Sequence, residues 1–234
     1  MARLDVLATL WQAAPWQRLR ARADDDANGM RRLRVRKSDF RYARYREKTG
    51  TTAIFAVDAS GSAAVQRLAE TKGAIELLLA ECYVRRDQVA MIAFRGAGSE
   101  TLLEPTRSLV KAKRCLSALP GGGGTPLASG ILASLAMAVG SVRKGQSVVA
   151  VFLTDGRGNV GLDGGTAKAQ VAADIEWAAR SFRAAGIRSI VIDTGQRPQA
   201  RAQSLADALG AEYLPLPRGG ATAVAREIGA RMEG

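Results

Sequence analysis

The stretch Thr51-Thr-Ala-Ile-Phe-Ala-Val-Asp-Ala-Ser-Gly-Ser62 decides how this chain of 234 residues is read. Residues 51–57 are apolar or β-branched without a break, the pattern of a strand buried on both faces. The run stops at Asp58, Ser60 and Ser62, after which Val65, Leu68, Ala69, Ile75, Leu78, Leu79 and Cys82 recur at helical spacing. A buried strand, a polar turn and a helix in succession are the unit from which parallel sheets are built.

The same texture continues to the end of the chain. Gln88–Phe94 reads as a second strand and Glu100–Leu103 as a short third. Leu109–Leu119 is helical in spacing and halts at Pro120 and the run Gly121–Gly124. Thr125-Pro126 predicts a helix start, with Thr125 as N-cap and the proline in the first turn, and that helix runs to about Val142. Ser147–Leu153 is another buried strand, followed by Thr154-Asp155-Gly156. A helix over about Ala167–Ala185, the strand Ile187–Ile192, a helix near Gln199–Leu209, a short strand at Glu212–Leu216 and a last helix over Ala221–Met232 complete the pattern. The fold class is therefore α/β, a doubly wound and mainly parallel sheet with helices on both faces.

In such a sheet ligands bind beyond the carboxyl ends of the strands. Asp58, Ser60 and Ser62 fall there after the first strand, and Asp155 falls there after the later one. Thr125, in the glycine-rich loop, reaches the same crevice. Two carboxylates and three hydroxyls, without nitrogen or sulfur, are hard oxygen ligands that suit Mg²⁺ or Mn²⁺. They do not fill six positions, so a place remains for water or an anionic oxygen from outside. Each part also has a plainer reading: Ser62 or Thr125 as a helix cap, Thr154-Asp155-Gly156 as an ordinary turn. Their order and placement together favour the metal site.

Histidine is absent, which removes Ser-His and Cys-His catalysis and nearly every zinc enzyme. A haloacid-dehalogenase-type phosphatase needs a second Asp where Ser60 stands, and Gly121–Thr125 lacks the Gly-Lys-Ser/Thr ending of a phosphate-binding loop. Asp193-Thr194-Gly195 matches the triplet of aspartic proteases but reads more simply as a strand end and turn. No catalytic machinery is expected. Cys82 and Cys115, without CxxC spacing, read as reduced thiols.

The formal net charge is +12, from 34 Lys plus Arg against 22 Asp plus Glu. Residues 1–50 carry 13 basic and 6 acidic side chains, a net of +7, leaving +5 on residues 51–234. Division is thus expected between a basic amino-terminal arm, 1–50, and an α/β domain, 51–234. Arg31–Lys48 is the densest part, with Phe40, Tyr42 and Tyr45 interleaved. That stretch reads as an extended arm or a dock for an acidic protein surface, with nucleic acid as the alternative. Asp24–Gly29 is acidic and turn-rich, and reads as a flexible loop. Apolar runs are too short and too interrupted for a membrane span, and the start lacks the apolar core of a signal peptide, so a cytoplasmic protein is expected.

Asp58-x-Ser60-x-Ser62, Thr125 and Thr154-Asp155-Gly156 resemble the metal-ion-dependent adhesion site of von Willebrand factor A (integrin I-type) domains. The resemblance covers residues 51–234 and implies one short antiparallel edge strand, placed at Glu100–Leu103. It implies that Ser60, Ser62 and Thr125 bind Mg²⁺ directly or nearly so, that Asp58 and Asp155 act through water, and that a partner's Asp or Glu takes the open position.

A narrower likeness rests on Ala14-Pro15-Trp16-Gln17, on Arg34-Val-Arg-Lys37-Ser-Asp39, on Thr51–Ser62 with Ala64, and on Leu119–Leu127. These resemble the carboxyl-terminal part of magnesium chelatase D subunits of chlorophyll and bacteriochlorophyll synthesis. Family members begin with an AAA+ module and an acidic, Pro-rich linker that this chain lacks, so it reads as a fragment. The resemblance implies a non-catalytic adaptor within a ligase that forms a nitrogen-metal bond. Its partners would be the AAA+ ATPase I subunit and the porphyrin-binding H subunit that inserts Mg²⁺ into protoporphyrin IX. The family's own acidic linker is a candidate ligand for the basic arm. Leu4-Asp5-Val6 is a triplet that integrin-type domains can recognise, though tripeptides recur by chance. The alternatives are an adhesion module of another AAA+ system, such as a cobalt chelatase relative, and a metal-dependent phosphohydrolase.

Overall fold

The computed structural model describes residues 3–20, 33–43, 50–60, 73, 75–77, 79–119, 121–195 and 197–215. By contacts the chain divides into two compact units, Met1–Lys48 and Thr49–Gly234. The terminal helix expected at 221–232, the flexible loop expected at 24–29 and Ser62 lie outside the described residues.

The amino-terminal unit opens with β1 (Arg3–Leu4), then a helix, Val6–Ala13, a 3-10 turn, Ala14–Trp16, and a short helix, Gln17–Arg20. Asp5 caps the first helix by accepting a hydrogen bond from the Ala8 amide at 2.9 Å. The Leu4-Asp5-Val6 triplet therefore has its carboxylate engaged in a cap. Residues 33–43 do not run on as an extended arm. They fold back, with a 3-10 turn at Lys37–Asp39 and β2 (Tyr42–Ala43) pairing antiparallel to β1. The fold-back is held by Asp39, only 3% exposed, which takes both guanidinium nitrogens of Arg20 at 2.5 and 2.9 Å and the Arg36 amide at 2.8 Å. A forked, two-point ion pair of this kind fixes geometry as well as charge.

The second unit is a six-stranded sheet: β3 (Thr51–Asp58), β4 (Gln88–Arg95), β5 (Gly98–Thr106), β6 (Ser147–Thr154), β7 (Arg188–Asp193) and β8 (Glu212–Pro215). Their spatial order is β5-β4-β3-β6-β7-β8, all parallel except β5, which runs antiparallel at one edge. That edge strand is longer than the expected Glu100–Leu103, because a tight turn through Gly96, at φ +63°, lets pairing with β4 begin at Arg95. Its register shifts near Met91, an irregularity common at sheet edges.

β3 is buried along all but its two ends, as an uninterrupted apolar run between two helical layers must be. Ala53, Phe55 and Val57 face one layer, with Ile75, Leu79, Ala112 and Leu116. Ala56, Phe94 and Phe152 face the other, against the helices Leu127–Arg143, Lys168–Ala184 and Ala200–Leu209. Phe152 and Phe182 meet edge to face with centroids 5.3 Å apart. The chain winds outward from β3 through β4 on one side and from β6 through β7 on the other. The crevice where winding reverses therefore opens between the carboxyl ends of β3 and β6, where Asp58 and Asp155 stand.

Cys82 is a buried free thiol, pushed up to about 11 by desolvation, and Cys115 is a half-buried free thiol. Asp193 is a structural residue: it accepts from the Gly195 and Gln199 amides at 2.8 and 2.6 Å and from the Tyr213 hydroxyl at 2.8 Å. Burial and that carboxylate push the Tyr213 hydroxyl up to about 12. No described helix is long and apolar enough to cross a membrane.

Candidate metal centre

Asp58 is the last residue of β3, so the strand itself delivers its carboxylate to the edge of the sheet. The chain then bends back on it: the Ser60 amide and hydroxyl both donate to Asp58 Oδ1, at 3.0 and 2.6 Å. Thr125 Oγ1 donates to Ser60 Oγ at 2.6 Å, joining a residue 65 positions away. From β6, Thr154 Oγ1 donates to Asp58 Oδ2 at 3.0 Å, and Asp155 follows directly. Asp58, Ser60 and Thr125 thus form one continuous oxygen cluster, with Asp155 beside it.

Thr125 is brought in by a loop that only glycine allows. Gly122 and Gly123 hold φ of +114° and +90°, which L side chains rarely adopt. A Cβ on Gly124 would lie 2.5 Å from Val160 Cγ2 and 2.9 Å from the Gly96 carbonyl oxygen. The packed loop is tied by the Gly122 amide to the Ala59 carbonyl at 2.8 Å and the Gly96 amide to the Gly124 carbonyl at 2.9 Å. Thr125 is not the helix N-cap expected from its place before Pro126. Pro126 occupies the cap position and the helix begins at Leu127, leaving the Thr125 hydroxyl for Ser60.

Two supporting residues escaped the sequence reading. Thr154 was seen only as part of a turn, yet its buried hydroxyl holds the second oxygen of Asp58. Asn159 accepts from the Thr125 amide at 2.6 Å through its side chain, and its own amide donates to the Thr125 carbonyl at 3.1 Å. The signal for Asn159 was the crowding of Gly156, Gly158 and Asn159 after Asp155, a loop built for close approach. Arg157 lies at the rim, its Nε 3.5 Å from Asp155 Oδ2 and its amide on Asp155 Oδ1 at 3.0 Å.

The electrostatics of the cluster are those of an unmet anion. Burial pushes the Asp58 carboxyl above its ordinary range, and the charge of Asp155 pushes it the same way, against the hydrogen bonds from Ser60 and Thr154. Among the described residues no three His, Cys, Asp or Glu side chains gather. A cation here would rest on two carboxylates and hydroxyl oxygens, a donor set that suits a hard divalent ion and leaves soft transition metals without their ligands. The residues therefore fit Mg²⁺ in charge and chemistry. Among the described residues no nucleophile–base pair accompanies them.

Comparison with known proteins gives three findings. The family model described as von Willebrand factor type A domain matches residues 53–157. The magnesium-chelatase 60 kDa subunit of Cereibacter sphaeroides is 50% identical over 232 residues, which is 99% of this chain and 41% of that protein. The magnesium-chelatase 67 kDa subunit of Chlorobaculum tepidum is 41% identical over 225 residues, 91% of this chain and 36% of that protein. The chain thus spans about two fifths of the length of the curated relatives it matches. Among solved structures, the conserved hypothetical protein BatB from Bacteroides thetaiotaomicron superposes with a TM-score of 0.60 at 19% identity, over 79% of this chain and all of that one. Likeness at that identity speaks to the fold alone.

Proposed function

We propose, from the premise that this chain belongs with the magnesium-chelatase 60 and 67 kDa subunits and carries a von Willebrand factor type A domain, that it is a docking platform rather than a catalyst. Asp58, Ser60, Ser62, Thr125 and Asp155 would hold a resident Mg²⁺, for which Mn²⁺ can substitute, and the ion would accept a carboxylate from a partner subunit. That Mg²⁺ is distinct from the ion delivered to porphyrin, which is substrate. By the chelatase resemblance, the partners are the AAA+ ATPase I subunit and the porphyrin-binding H subunit of bacteriochlorophyll synthesis.

The observation that carries this reading is the convergence of Asp58, Ser60 and Thr125 at the switch point, beside a second carboxylate, Asp155. The chain's own residues do three things there. Ser60 and Thr154 orient the Asp58 carboxylate, one on each oxygen. Asn159 and the glycine loop set the height of Thr125. The two carboxylates supply charge that Arg157, at the rim beside Asp155, meets only in part, so a partner's anionic oxygen would be attracted when the ion is present and repelled when it is not.

The test compares the wild-type chain with Asp58→Ala and Asp155→Ala in pull-downs of the I and H subunits, in Mg²⁺ and in EDTA. Both variants should retain the far-UV circular dichroism of the wild type and lose Mg²⁺-dependent capture. Capture that survives EDTA or either substitution would sink the adhesion mechanism.

A further inference from the structure

The amino-terminal unit exposes more apolar surface than its own fold uses. On the helix Val6–Ala13, Thr9 and Ala13 are buried, while Val6, Leu7, Leu10 and Trp11 are 61, 71, 37 and 79% exposed. At 100° per residue those four side chains cover a contiguous arc of roughly 140°, a width that normally faces a core. Beyond the helix, Trp16 and Leu19 extend the apolar surface at 49 and 66% exposed. Isolated exposed apolar residues are ordinary, but a helix-long stripe that includes Trp11 marks an interaction site.

Charge identifies what covers it. Residues 1–48 as a whole carry 13 basic and 6 acidic residues, a net of +7, and the side chains described in this unit include five basic ones (Arg20, Arg34, Arg36, Lys37 and Arg41) and two acidic ones, a net of +3. Both acids are engaged within the unit: Asp5 caps the helix and Asp39 takes Arg20 and the Arg36 amide. Arg36, Lys37 and Arg41 remain exposed on the segment that folds back beside the helix. A second copy of this chain would bring the same positive charge and be repelled. The complementary occupant is apolar on one side and acidic on the other.

We propose that the Val6–Trp11 stripe is the docking surface for an acidic amphipathic helix. Leu7 and Trp11, one turn apart, anchor its apolar face, and the basic side chains of the segment that packs along the Thr9 side of the helix, Arg36, Lys37 and Arg41, pair with its carboxylates. The contact is independent of the metal cluster.

The test measures the fluorescence anisotropy of a labelled helical peptide with Leu at i, i+3, i+4 and i+7 and Glu elsewhere, titrated with the full chain. Binding should weaken about tenfold in Leu7→Ala/Trp11→Ala, an outward-facing truncation that leaves Thr9 and Ala13 in place. It should weaken by a similar factor between 0.05 and 0.5 M NaCl, and persist in Asp58→Ala, which separates it from failure of the adhesion site. A Lys-for-Glu version of the peptide should not bind. The proposal is overturned if the Glu peptide fails to bind or is indifferent to the double substitution. It is equally overturned if phosphatidylglycerol vesicles bind while the peptide does not, or if sedimentation shows self-association through the stripe.

Discussion

Asp39 and Asp58 are both largely removed from solvent, and the molecule treats them in opposite ways. Asp39, in the amino-terminal unit, meets the Arg20 guanidinium at two points, and that contact holds its carboxyl down to about 2. Asp58, at the end of β3, receives hydroxyls and an amide from the described residues, and burial drives its carboxyl upward with Asp155 pressing from β6. An anion matched by an internal cation is architecture. An anion surrounded by oxygen donors, next to another anion, is a place for a cation from outside.

The contrast can be broken most directly at Asp58. Asp58→Ala should weaken Mn²⁺ binding, followed by electron paramagnetic resonance, by at least about 100-fold, beyond the range that loss of a supporting group produces. The comparison is wrong if the variant binds as well as the wild type. Thr154→Val tests the support alone: it removes the donor to Asp58 Oδ2 at nearly constant volume, and should cost about 10–100-fold in the same titration.

Protonation gives a subtler contrast, because the two signs oppose. The folded-state pKa of Asp39 is lowered, so its contribution is complete above about 3.8 and fades as pH falls towards about 2. The folded-state pKa of Asp58 is raised, so in metal-free protein its ionisation penalises folding at neutral pH, and the penalty is relieved as pH falls through the raised value. Asp58→Asn should therefore raise the metal-free melting temperature at pH 7, with the advantage vanishing below about pH 3.8. Excess Mg²⁺ should reverse the ranking at pH 7. An Asp58→Asn melting temperature below the wild type in EDTA would contradict this account.

The smallest effect is expected from Arg20→Lys, which keeps the charge on Asp39 but not the fork. Hydrogen exchange should quicken in residues 33–41 and remain unchanged in β3 and β6. Equal protection across 33–41 would show that a point charge suffices there.

How much of this was legible in the linear chain depends on the range of the force involved. Apolar runs such as Ser147–Leu153 and the helical spacing over about Ala167–Ala185 are local patterns, and they placed that strand and that helix within a residue, whereas the edge strand expected at Glu100–Leu103 extends over Gly98–Thr106. Strand ends are local as well, which is why Asp58 and Asp155 could be set at one edge of the sheet. For Arg31–Lys48 basic density is a composition signal that allows an extended arm or an acidic dock and gives no shape, while the fold-back of residues 33–43 depends on an ion pair across 19 positions. Thr125 was misread as a helix cap for the same reason: a threonine before proline has a strong local meaning, and its actual partner is Ser60.

The chain by itself determined the α/β class, and the absence of histidine narrowed the expected site to oxygen ligands, while the antiparallel edge followed from the family resemblance. Tertiary structure alone decided which oxygens converge. Thr154 reaches Asp58 across 96 positions, and Asn159 sets the Thr125 loop across 34. Such contacts arise only when packed strands bring distant loops together, and no residue preference along the chain encodes which hydroxyl will face which carboxylate. It also decided that Thr9 and Ala13 turn inward on the helix Val6–Ala13 while Leu7 and Trp11 turn outward, because exposure belongs to the folded unit and not to the order of residues.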